Sequence, residues 1–157
     1  MTDIEQELAD HGRFARADGA FAPTTNDWDA TVAVDGETVE ITVVVPTLDA
    51  ATNDDVAEVV EDGWYDTFER RVRDADSVTL AADVDVRSVG REGGDITVEI
   101  AFTPRSGKAA DDALALVNYV EGTWFQGVIP GYDYVGRVER MRQQAAQNAE
   151  STEGTPL

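Results

Sequence analysis

The residues able to do chemistry are few and scattered. His11 is the single histidine, and there is no cysteine. That excludes disulfides, thiolate metal sites and thiol nucleophiles, and it leaves no common zinc or haem ligand set. A Ser-His-Asp triad needs its serine on a sharp turn, and no Gly-x-Ser-x-Gly elbow occurs. Neither a Walker A loop nor a Gly-x-Gly-x-x-Gly after a strand is present. Gly90-Arg-Glu-Gly-Gly94 is glycine-rich, but it falls between two strand-like runs and reads as a hairpin loop. Asp83, Asp85 and Glu99 are weak candidates for a Mg²⁺ or Ca²⁺ site, because carboxylate oxygens suit such ions. A hairpin whose opposed residues sum to 184 would set Asp85 opposite Glu99, where like charges repel unless salt or a cation screens them. No EF-hand spacing supports the cation. Arginines cluster at Arg70, Arg71 and Arg73 and again at Arg137, Arg140 and Arg142. The first group closes a predicted helix, where the dipole favours cations without any ligand.

The most unusual local feature is aromatic: Trp124, Phe125, Ile129, Pro130, Tyr132 and Tyr134, with Val128 among them. Such a segment either wraps the end of a helix onto a sheet or forms an interaction surface. Trp, Tyr and Pro supply rigid contact area, and the tyrosines suit a half-wet position. These six residues are the candidate interaction surface.

The elements that must position these groups follow from length, charge and pattern. The 157 residues imply one domain, set at 1–149, with a disordered tail at 150–157. Asp and Glu total 32 against 12 Lys and Arg, a formal net charge of −20, and Lys108 is the sole lysine. Patterned strands and helices argue against disorder, so the acidity reads as adaptation to concentrated salt. At ~1 M salt the Debye length is about 3 Å, which screens surface repulsion. Most carboxylates then hydrate the surface. So acidic a chain is a poor nucleic-acid binder. No apolar run is long enough to span a membrane, and the acidic N-terminus lacks a signal core. A cytoplasmic protein without a cofactor is expected.

Thr2-Asp-Ile-Glu5 reads as a capping box opening a helix through Ile4, Leu8, His11 and Ala15, which Asp18-Gly19 ends. Ala20–Thr24 is a brief strand, demoted by Pro23. Trp28–Val45 is a hairpin about Asp35-Gly36. A type I′ turn there makes opposed residues sum to 71, so that Val32 faces Val39, Ala30 faces Ile41 and Trp28 faces Val43. Asp29, Thr31, Glu40 and Thr42 take the other face. Thr52–Asp55 caps a second helix striped by Val56, Val59, Val60, Gly63, Trp64, Thr67, Phe68 and Val72. Ser77–Val89 and Asp95–Thr103 form the second hairpin, and Ser106 caps a third helix bearing Ala110, Ala113, Leu114, Val117, Val120 and Trp124. A polar helix from Val135 to about Ala149 follows. The order α-βββ-α-ββ-α, with that trailing helix, predicts an α+β two-layer sandwich: a five-stranded antiparallel sheet with helices on one face.

The segment Val120–Tyr134, in this lysine-poor acidic setting, resembles a family of small halophilic-archaeal proteins of unknown function. That resemblance implies no activity or site residues. The element order is similar to type III secretion chaperones and YbjN-like regulators. It implies a small, acidic, non-enzymatic and often dimeric protein that binds other proteins. The expectation is a non-catalytic interaction or regulatory domain with a homodimeric or unidentified protein partner. The alternative is a small-ligand pocket lined by Trp28, Trp64 and Trp124, or, less in keeping with the residues, an enzyme.

Overall fold

A computed structural model describes residues 2–153, with side chains across 4–147. The elements are α1 (Thr2–Asp10), β1 (Phe14–Ala17), β2 (Ala20–Pro23), β3 (Asp29–Asp35), β4 (Thr38–Pro46), α2 (Glu58–Val72), β5 (Ala82–Glu92), β6 (Asp95–Thr103), α3 (Ala109–Gln126) and α4 (Gly136–Glu153). They build the expected α+β class, but the single antiparallel sheet has six strands, not five, in the order β1-β2-β3-β4-β6-β5. The extra strand is β1. Its Phe14-Ala-Arg-Ala lies where helical spacing continues from Leu8. The chain instead leaves the helix at Asp10 and folds back at Asp18-Gly19. Asp18 and Gly19 have φ of +47° and +79°, so this Asp-Gly carries the doubly left-handed turn of a tight hairpin. The Thr2 side chain of the expected capping box lies outside the described residues. At the other end α4 continues to Glu153, past residue 149, and 154–157 of the expected tail lie outside the described residues.

The first large hairpin keeps its predicted faces but not its register. Asp35 pairs with Thr38, Val34 with Val39 and Ala30 with Val43, so opposed residues sum to 73. The loop is Gly36-Glu37, and only Gly36 is left-handed (φ +63°), which fits glycine first in a type II′ turn. A shift of two residues preserves side-chain parity. Ala30, Val32, Val39, Ile41, Val43 and Val45 are therefore all buried.

The second hairpin departs further. Its strands run almost to the tip: Glu92 pairs with Asp95, and the loop is Gly93-Gly94 rather than Gly90–Gly94. Register shifts between Ala82 and Asp85 and between Val86 and Ser88 then step the pairing along β5, with Asp83 left-handed at φ +55°.

Helix α3 covers the buried sheet face across β4. Ala113, Leu116, Val117, Val120 and Trp124 are fully buried. Its first turn is held from afar: Glu7 Oε1 of α1 accepts the Ala109 N–H at 3.0 Å. One turn on, Asp112 is 1% exposed. It accepts from Arg105 Nη2 at 2.6 Å and Thr79 Oγ1 at 2.8 Å, tying the approach to β5 to the approach to α3. Trp124 docks its Nε1–H on the Pro46 carbonyl at 2.7 Å. Replacing it with alanine removes both ring and bond. Trp124→Ala is expected to lower unfolding free energy by about 3–5 kcal/mol, read by denaturant titration in molar salt.

Candidate functional site

The aromatic segment divides between core and surface. Trp124 is fully buried and meets Trp28 edge-on at 4.6 Å and Trp64 at 5.9 Å between ring centroids. Trp64 also stacks on Phe68 at 5.8 Å. The three tryptophans fill the centre together, so they do not line a ligand pocket between sheet and helices. Tyr134 is 3% exposed, and its hydroxyl donates to the Ile129 carbonyl at 2.6 Å and accepts the Ile129 N–H at 2.9 Å. A bridge between Thr52 and Tyr134, with Asn53 N–H on the Asp133 carbonyl at 2.8 Å, sews this loop to the segment before α2. Trp124 and Tyr134 therefore build the protomer. Phe125, Ile129 and Tyr132 are half-buried and Pro130 is exposed, leaving these four at the surface.

Ile129 borders a groove of about 390 Å³ between α2 and α3. Its floor is Trp64 and Phe68, and its outer ridge is Val59, Gly63, Thr67 and Arg71. The groove closes at one end because Trp64 Nε1 donates to the Gly127 carbonyl at 3.0 Å. A Cβ on Gly127 would lie 2.9 Å from that nitrogen, so glycine permits the close approach. Val59 is 79% exposed. The sequence pattern places it on the core stripe of α2, and the structure turns it outward. The signal was present: the row Val60-Trp64-Phe68-Val72 is apolar throughout, whereas Val59-Gly63-Thr67-Arg71 grows polar.

The remaining candidates are dispersed. Asp85 opposes Ala101, not Glu99. Glu99 opposes Ser88 and accepts its Oγ–H at 3.0 Å, and Asp83 accepts from Thr103 Oγ1 at 3.3 Å. The Gly93-Gly94 loop sets a register in which Glu99 falls opposite Ser88, and this separates the two acids. Among the described residues no group of three or more His, Cys, Asp or Glu side chains is placed to hold a metal ion. His11 lies beyond α1. Its Nδ1 accepts the Arg13 N–H at 3.2 Å, which assigns the proton to Nε2, 3.3 Å from Asp111 Oδ1. Among the described residues no hydroxyl is hydrogen-bonded to the ring.

Pattern reading missed Glu121. It is 6% exposed and accepts the N–H groups of Asp27 and Trp28 at 3.0 and 2.8 Å. Burial raises its pKa above the usual glutamate value, with the two N–H bonds opposing. For Asp112, burial also pushes upward, but hydrogen bonds from the Arg105 guanidinium, Thr79 and the Arg105 N–H outweigh it. Its carboxyl sits below the usual range.

The two groups give opposite pH slopes. Glu121 binds its proton more tightly when folded. Its contribution is full below the ordinary carboxylate pKa of about 4.3 and is lost as pH rises through its raised value. Asp112 binds its proton less tightly when folded. Its contribution is full above about pH 4 and is lost as pH falls toward its depressed value. Unfolding free energies across that range should show wild type losing ground to Glu121→Gln as pH rises, and gaining on Asp112→Asn. Parallel profiles for all three proteins would refute the assignment.

Comparison with known proteins adds a family. No curated protein matches the chain. The crystal structure of YbjN from E. coli is similar at 12% identity, with 90% of each chain covered and a TM-score of 0.39. Residues 9–144 match a family described as being of unknown function (DUF5813), and the chain belongs to that family.

Proposed function

We propose that this chain is a non-catalytic protein-interaction domain adapted to concentrated salt, and that it pairs with a second copy of itself through the α2–α3 groove. The observation that supports this reading is the ridge beside the groove. Val59 stands exposed one helical turn from Gly63, where a Cβ would meet nothing within 4 Å. A knob and a hole on one ridge are self-complementary. A two-fold axis between them sets each Val59 over the partner's Gly63, the reciprocity an isologous interface requires. Trp64 and Phe68 beneath supply the apolar area that anchors interfaces. Molar salt screens the repulsion between two chains of net charge −20.

Sedimentation velocity in molar KCl tests the pairing. Wild type is expected to sediment as a dimer at micromolar concentration. Val59→Glu, a change at an exposed position, is expected to sediment as a monomer with an unchanged circular dichroism spectrum. A wild type that stays monomeric, or a Val59→Glu protein that stays dimeric, would overturn it. The salt adaptation has its own measurement. The midpoint of thermal unfolding should fall steadily as KCl is lowered from molar to low millimolar, and an unchanged midpoint would count against it.

A further inference from the structure

On the other side of α3 lies a second depression, a cleft of about 730 Å³ between α3, α4 and the loop before β3. Its α4 wall carries Arg137, Arg140, Met141 and Gln144, which the i, i+3, i+4, i+7 spacing places on one helical face. Opposite stand Asn118 and Phe125 of α3. We propose that this cleft binds a small oxyanion, a carboxylate or phosphate, carried on an apolar or planar body.

The arginines point to the anion. Elsewhere in the molecule Arg70, Arg73, Arg87, Arg91, Arg105 and Arg142 each lie within 4.0 Å of a carboxylate. Arg137 and Arg140 do not, as Arg13, Arg16 and Arg71 do not, but these two alone share one cleft. Arg137 Nη1 donates to the Asp27 carbonyl at 2.7 Å, which fixes the guanidinium at the cleft wall. Arg140 makes no hydrogen bond or ion pair with any described residue. Both lie in the first turns of α4, where the helix dipole disfavours cations and favours an anion beside them. Two acids line the cleft, the exposed Asp27 and the buried Glu121, against the two guanidinium groups, and Glu121 does not oppose a ligand strongly. Both oxygens of Glu121 are turned to the Asp27 and Trp28 N–H groups. A guanidinium presents a planar fork that matches carboxylate and phosphate oxygens. Phe125 and Met141, both half-buried, supply an apolar back wall for the rest of the molecule.

The test is calorimetric titration of the full chain in molar KCl with phenyl phosphate, with benzoate, and with benzyl alcohol as the uncharged control. Wild type is expected to bind at least one aryl anion saturably at millimolar concentration. Binding of phenyl phosphate alone identifies a phosphate site, and binding of benzoate alone a carboxylate site. Arg140→Gln keeps most of the side chain and removes the charge. It should weaken binding by about tenfold or more while leaving circular dichroism unchanged. Arg70→Gln, far along α2, should bind as wild type does. The proposal falls if neither aryl anion binds, if benzyl alcohol binds as tightly, or if Arg140→Gln binds like wild type. Equal weakening by Arg70→Gln, the signature of general charge, would also overturn it.

Discussion

The structure depends on covering one face of one sheet. Six strands place their apolar side chains on the same side, and alternate residues of β3, β4 and β6 leave nothing polar there to meet water. Only an element apolar around most of its circumference can lie on such a floor and still be covered from above. Helix α3 is that element, with 11 of its 18 residues buried, and Trp124 is its anchor. The ring touches both other tryptophans, and its one polar atom is bonded to the end of β4. The surface depressions on either side of α3 exist because α2 and α4 flank this helix without closing over it.

Much of this was legible in the sequence, and the failures have physical causes. Period-two alternation depends only on parity, so it named the buried residues of β3 and β4 correctly while the register was two residues out. The error lay in assigning the left-handed pair to Asp35-Gly36. A glycine can serve either as the second residue of one turn type or as the first of another, and alternation does not distinguish them. The Asp-Gly that does use both left-handed positions is Asp18-Gly19, which looked like a helix stop because Ala15 falls in phase with Leu8. In β5 the error began at the tip, where the loop is Gly93-Gly94 and opposed residues sum to 187 rather than 184, and each bulge then moved the pairing by one residue. No residue type marks those bulges, apart from a left-handed Asp83, which aspartate tolerates better than most. The apolar stripe of α3 was plain. The outward turn of Val59 was not, because a helix stripe is wide enough to include one ridge too many.

Charge is handled differently inside and outside. Most carboxylates are on the surface, where salt governs their mutual repulsion. The two that are buried among the described residues are spent on geometry. Asp112 gathers a guanidinium, a hydroxyl and a backbone N–H from two loops, and Glu121 caps the entry to β3 through two backbone N–H groups. Removing a partner from either would strand a desolvated group, which is costlier than the bond is stabilising. These acids act as loop staples, and the composition of the chain hides them among 30 others.

The strand order has a consequence for biosynthesis. β1 to β4 form a meander of neighbours in sequence, and β5 and β6 form another hairpin that joins at β4. All six strands have been made by residue 103, yet α3 begins only at Ala109 and ends at Gln126. A nascent chain emerging from the ribosome therefore holds a complete sheet whose apolar face, from Val32 to Phe102, lacks the cover of α3 until that helix arrives. Such a face is the kind that adheres to other chains before it is covered. The interval is short, since α3 follows β6 almost directly. The chain's acidic outer surface, with a formal net charge of −20, repels neighbouring copies during that interval, and salt screens that repulsion.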